Sequence, residues 1–148
     1  MKKISLFSLT LILVACSAGK REFSRNQKMW QDANISHYRF ELDIGCYCGF
    51  QAPMPLEVEV SNNVILSITD SDGKLITQTD PNYEWYSQYA TIDRLFTDLK
   101  ADLGGAVDEV TATYDPTYGF PDKINIDVIK EAVDDELSLR VSRFEALP

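Results

Sequence analysis

Long apolar runs, histidine and basic charge are all scarce in this 148-residue chain. The main apolar stretch, Ile4 to Leu13, is diluted by Ser5, Ser8 and Thr10. It falls short of the about 20 residues that cross a bilayer as a helix, which argues against a transmembrane anchor. A single histidine, His37, supplies no histidine-based metal set and little scope for acid–base catalysis. Neither a nucleophile elbow nor a glycine-rich phosphate loop occurs, so hydrolytic and phosphoryl-transfer activities lack their usual signatures. Basic side chains number 14 against 23 acidic ones, a formal charge of −9. Phosphate backbones need a basic stripe, so nucleic acid is not an expected partner. No repeat or low-complexity tract stands out. These gaps lead us to expect a non-enzymatic protein with no cofactor, no metal and no catalytic residues.

What is present begins at the N-terminus. Lys2 and Lys3 precede the apolar run, which ends in Leu13-Val14-Ala15-Cys16. That is the charged, apolar and small-residue layout of a secretory signal peptide. With the cysteine after the small residue, the segment resembles the lipobox of bacterial lipoproteins. The resemblance implies diacylation of the Cys16 thiol, cleavage before it and acylation of the new amine. One acyl chain holds a protein only reversibly, at about 0.8 kcal/mol per buried methylene, whereas two or more hold firmly. The expected partner is therefore a lipid bilayer, reached through acylated Cys16, with the domain in the cell envelope. In Gram-negative lipoproteins an aspartate after the cysteine retains the protein at the inner membrane. Ser17 stands there instead, which implies the periplasmic face of the outer membrane in such a cell. Losing residues 1–15 removes Lys2 and Lys3, leaving 12 basic against 23 acidic side chains and a charge of −11. The expected organisation is a signal peptide over 1–15, an acylated cysteine and tether over 16–24, and one domain over 25–148.

Apolar spacing supplies the elements. Phe23, Met29, Trp30 and Ala33 fit one face of a short helix with Ser24 as its N-cap. Tyr38, Phe40, Leu42, Ile44, Cys46 and Cys48 then alternate with polar residues, the pattern of a half-buried strand. Leu56, Val58 and Val60 form a second strand and Val64, Leu66 and Ile68 a third. A three-residue loop, Ser61-Asn62-Asn63, keeps all six on one face, with Asn63 left-handed at a bulge. Asp70 to Gly73 is turn chemistry, and Lys74 to Thr79 suits a short further strand. Thr91 fits an N-cap for a helix carrying Ile92, Leu95, Phe96, Leu99 and Leu103 and ending at Gly104-Gly105. Strands follow at Val110 to Tyr114, Ile124 to Val128 and Leu137 to Val141, the first two joined by an Asp115–Gly119 turn. Tight turns make neighbouring strands antiparallel. The expected fold class is α+β: an antiparallel sheet of about five to six strands with two helices packed on one face.

Several segments in this order are similar to those of a family of uncharacterised bacterial lipoproteins classed as a domain of unknown function. They are Trp30 and Tyr38, Cys46-Tyr47-Cys48, Val58-Glu59-Val60 and Thr91 to Phe96. Tyr114-Asp115-Pro116-Thr117-Tyr118-Gly119-Phe120-Pro121, Ile126-Asp127 and Asp134-Asp135-Glu136 complete the set. The resemblance runs from Trp30 to the end. It implies fold extent and location and brings no activity.

Three groups of residues are candidate sites. Cys46 and Cys48 remain as a pair once Cys16 is acylated, and an oxidising compartment favours pairing. Two residues apart in a strand, their Cα atoms would lie about 6.5 Å apart, near the limit for a disulfide. Such a bridge acts either as a local structural staple, the favoured reading, or as a redox-active pair. Asp115, Asp127, Asp134, Asp135 and Glu136 invite a cation reading but lack the spacing of a calcium loop. Tyr83, Trp85, Tyr86 and Tyr89 fall in an expected loop. There they form either a recognition surface for an unidentified envelope protein or ligand, or a cap on the open edge of the core, which is favoured.

Overall fold

The computed structural model describes residues 9–49 and 52–148, with side chains from residue 18 onward. The n-region and half of the apolar run of the expected signal peptide therefore lie outside the described residues. So does the side chain of Cys16. Among the described residues no helix is long and apolar enough to cross a membrane.

The first helix, α1 (Leu9–Ala33), is longer than its spacing predicts. Ser24 is not an N-cap: it lies inside the helix and its hydroxyl donates to the Lys20 carbonyl at 2.9 Å. Alanine, lysine, arginine and glutamate dominate residues 15–22 and all favour helix. The single Gly19 costs only about 1 kcal/mol, too little to end it. The segment expected as a tether is thus helical, and Phe23 within it is already in the core, edge-on to Phe96 with ring centres 5.7 Å apart.

Six strands follow: β1 (His37–Cys46), β2 (Leu56–Ser61), β3 (Val64–Thr69), β4 (Glu109–Tyr114), β5 (Pro121–Asp127) and β6 (Leu137–Ala146). Between β3 and β4 lie a short α2 (Tyr83–Ser87) and α3 (Ile92–Ala101), the latter running into a π-type turn over Asp102–Ala106. The Tyr83–Tyr89 segment is therefore partly helical rather than a plain loop. All strand pairs are antiparallel in the order β3-β2-β1-β6-β5-β4. Two three-stranded meanders are joined side by side through β1 and β6.

The β2–β3 loop differs from the expected one. Asn62 and Asn63 both have positive φ, at 51° and 61°, and form a two-residue loop with Ser61 opposite Val64 and Val60 opposite Ile65. Such a loop alone would turn Ser67 and Thr69 inward. A bulge between Val60 and Glu59 absorbs one residue, so that Val58 faces Ile68 again. As a result Ile68 is buried while Val64 and Leu66 are exposed. Lys74 to Thr79 makes only a single bridge, Thr69 to Leu75, rather than a strand.

One sheet face carries the core. Tyr38, Phe40, Leu42 and Ile44 from β1 meet Val58, Val60, Leu139, Val141, Ile124 and Ile126 from its neighbours. Phe23, Trp30, Leu95, Phe96 and Leu99 from α1 and α3 cover them. Two polar contacts fix the layers: Trp30 Nε1 donates to Asp93 Oδ1 at 2.9 Å, and the Ile92 amide donates to the Tyr38 hydroxyl at 3.1 Å. Thr91 caps α3 as expected, its side chain accepting from the Arg94 amide.

Candidate functional site

Directly opposed residues of antiparallel strands project from the same face. Gly45 opposes Ser138, Ser138 opposes Asn125, and Asn125 opposes Thr111. A row of small polar residues therefore crosses four strands on the face opposite the helices. The neighbouring row, Asp43, Arg140, Lys123 and Thr113, is longer and mostly charged. On the other flank stand Glu109, Asp127 and Glu136. The low row between taller flanks makes a shallow groove of about 260 Å³. Gly45 keeps its floor low, since a Cβ there would lie 2.5 Å from Ser138 Oγ. Asn125 donates to Thr111 Oγ1 at 3.3 Å, so the groove offers hydroxyl, amide and carboxylate groups to a polar ligand.

The acidic flank has a defined electrostatic character. Partial desolvation, then the nearby Asp135, Glu136, Glu109 and Asp108, hold the Asp127 carboxyl above its ordinary range. Some acids there are structural: Asp135 Oδ2 accepts from the Ile129 amide at 2.8 Å, and Asp108 Oδ2 from the Lys130 amide at 3.0 Å. Asp115 does not join them. It follows Tyr114 at the opposite end of β4 from Glu109, where its Oδ1 accepts from the Thr117 and Tyr118 amides. Asp134 has positive φ (73°) in the β5–β6 connection. Among the described residues no group of three or more His, Cys, Asp or Glu side chains is arranged to hold a metal ion.

Cys46 and Cys48 have Cα atoms 5.2 Å apart, within the span of a disulfide. This is closer than strand geometry predicts, and β1 ends at Cys46. Tyr47 between them is 81% exposed. His37 sits at the other end of β1, where its two ring nitrogens lie 3.0 Å from the Pro148 carbonyl oxygen and 2.9 Å from Glu59 Oε1. It is not available to the cysteines.

The aromatic candidates divide. Tyr86 is buried, and its hydroxyl accepts from the Ala52 amide at 2.7 Å. Tyr83, Trp85 and Tyr89 are half-buried against the core, with Trp85 edge-on to both Tyr86 and Tyr89. Burial, then the carboxylates of Asp98 and Asp102, raise the Tyr89 phenol above its usual value. The segment packs over the sheet more than it stands away from it.

The groove was not legible as a site in the sequence. Its polar members sit at alternate positions of strands far apart in the chain, and only the strand order aligns them. A glycine inside an otherwise alternating β1 was the one local signal.

These features define an α+β domain whose antiparallel sheet has one helix-covered face and one open polar face. The chain belongs to a family of unknown function, DUF6174, whose profile matches residues 22–146. No curated protein and no solved structure matches it. The match begins one residue before Phe23, in accord with a core that starts earlier than residue 25.

Proposed function

We propose that this protein is a lipid-anchored envelope domain that holds a polar partner on the open face of its sheet, without catalysis. Acylated Cys16 supplies the anchor. The observation that carries the binding half is the Gly45–Ser138–Asn125–Thr111 row and the groove it forms. Hydroxyls and an amide flanked by charges of both signs suit hydrogen-bonded recognition. The anchor half is supported by the Leu13-Val14-Ala15-Cys16 layout.

A photo-crosslinking side chain at Asn125, compared with one at Gln31 on the exposed surface of α1, tests the reading in intact cells. A discrete adduct from Asn125 that is absent from Gln31 is the expected result. Equal labelling from both positions, or none from Asn125, removes the open face as the binding surface.

A second reading makes Cys46 and Cys48 a thiol–disulfide pair, at the end of β1 on either side of an exposed Tyr47. Alkylation followed by intact mass, before and after mild reductant, separates the two. Easy reduction with reoxidation by transfer to substrate thiols favours the redox reading. A bridge that resists mild reductant leaves it a staple.

A further inference from the structure

We propose that the sheet end bearing Tyr47, Val128, Ile129 and Val133 is the membrane-facing end of the domain, resting on the surface of the bilayer that holds Cys16. This deepens the anchoring proposal and rests on it.

The path of α1 carries the inference. The helix runs without a break through Cys16 to Phe23, and Phe23 is fixed in the core. At 1.5 Å per residue these positions are about 10 Å apart along the axis. No flexible tether intervenes, so the point where α1 leaves the domain sets which end meets the lipid. That point is marked by Leu103: a Cβ on Gly19 would lie 3.8 Å from Leu103 Cδ2. Lys20, Lys100, Leu103 and Gly104 share a hollow there. From Leu103 the chain passes to Asp108, whose amide donates to the Val128 carbonyl at 3.2 Å. Cys16 therefore emerges beside the β5–β6 connection, at the end where β1 finishes and β4 and β6 begin.

Exposed apolar side chains concentrate at this same end. Among the described residues seven large hydrophobics are exposed. Four of them, Tyr47 (81%), Val128 (41%), Ile129 (56%) and Val133 (83%), lie here, and the other three follow the β3 edge. Tyrosine suits a boundary where one side is apolar and the other wet. Charge also bears on the surface chosen. Lys20 and Lys100 flank the helix exit, while Glu131, Asp134 and Glu136 occupy the β5–β6 side. With Asp108, Glu109, Asp127 and Asp135 also at this end, the balance there is acidic, which disfavours an anionic leaflet and points to zwitterionic headgroups.

The test uses full-length protein extracted from the membranes of expressing cells. Intact mass first reads whether Cys16 carries acyl chains. The protein is then reconstituted into phosphatidylcholine nanodiscs containing a gadolinium-chelating lipid, and amide NMR intensities are recorded. The expected result is an acylated N-terminus and loss of the Tyr47, Ile129 and Val133 amide signals. The Asn62, Asn63 and Thr117 signals, from the opposite end of the sheet, keep their intensity. An acylated protein with uniform or reversed losses overturns the orientation and leaves the anchor standing. A mass without acyl chains overturns both.

Discussion

Two residues carry more of this fold than their size indicates. Gly119 has φ of +80°, and a Cβ there would lie 2.5 Å from the Asn26 carbonyl oxygen and 2.7 Å from Met29 Cβ. Both the left-handed turn and the close approach of α1 demand glycine. Gly119→Ala is expected to cost about 2–4 kcal/mol, combining positive-φ strain with overpacking, read as a lower denaturation midpoint at unchanged m-value. The turn itself was legible from Asp115-Pro116-Thr117-Tyr118-Gly119, because Asx chemistry and glycine act locally. The contact with α1 was not, since it joins residues some ninety positions apart. His37 is the second case. Its hydrogen bond to Glu59, then the Pro148 carbonyl, raise its pKa above the usual 6.5. The folded state binds this proton more tightly than the unfolded chain does. The associated stability is thus fully present below about pH 6.5 and lost as pH rises through the raised value. Asp98, Asp102 and Asp127 are shifted upward from 3.8, and their stabilising protons are lost at lower pH, as it rises from about 3.8 through their raised values. Melting temperature is expected to fall as pH rises above about 6.5, with His37→Gln flattening that slope. An equal slope in the variant rules out His37 as its source.

At the scale of elements, the strands are legible wherever alternation runs unbroken, and depart from the expected pattern where a bulge resets it. β6 shows why. Leu139 and Val141 face the core, and strict alternation would send Arg143 after them. Instead Arg143 adopts φ of 47°, and the β1–β6 register shifts between Arg39–Glu145 and Glu41–Ser142. Phe144 is thereby brought inward, 5.8 Å from Trp30, 5.5 Å from Tyr38 and 4.6 Å from Phe120 between ring centres. Arg143, turned outward, lies 3.1 Å from Glu41. Because a β-branched residue tolerates positive φ poorly, Arg143→Val is expected to cost about 1–2 kcal/mol. Arg143→Gly should lose little, as relief of the backbone offsets an exposed ion pair. Thermal melts of the two variants check this ordering, and the reverse ordering counts against the bulge. The same logic explains the β2–β3 loop, where Asn-Asn supplied the two positive φ values and a bulge repaired the register. Bulges leave almost no local sequence mark, so alternation gave the strands and not their pairing. α1 departs from its expected start for the opposite reason: Ser24 is a good cap by type, but nothing before it stops a helix.

For the whole molecule, the decisive fact is that the N-terminal helix belongs to the core rather than preceding it. β1 and β6 join two meanders into one sheet, and α1 crosses the seam with Trp30 against Tyr38 from β1 and Phe144 from β6. Phe23 extends the contact to α3 through Phe96. A chain processed before Cys16 retains all of these contacts, whereas one shortened to Arg25 loses Phe23. Removing a buried phenylalanine side chain costs about 3–5 kcal/mol, against a total of about 5–15 kcal/mol for a typical domain. Urea denaturation is therefore expected to give the same midpoint for chains starting at Cys16 and at Lys20. A chain starting at Arg25 should unfold at a much lower urea concentration, and Phe23→Ala in the Cys16 chain should reproduce most of that loss. If the Arg25 chain were as stable as the others, α1 before residue 25 would be an appendage. The rigid coupling between Cys16 and the sheet would then fail, and with it the reason for one end of the sheet to face the bilayer.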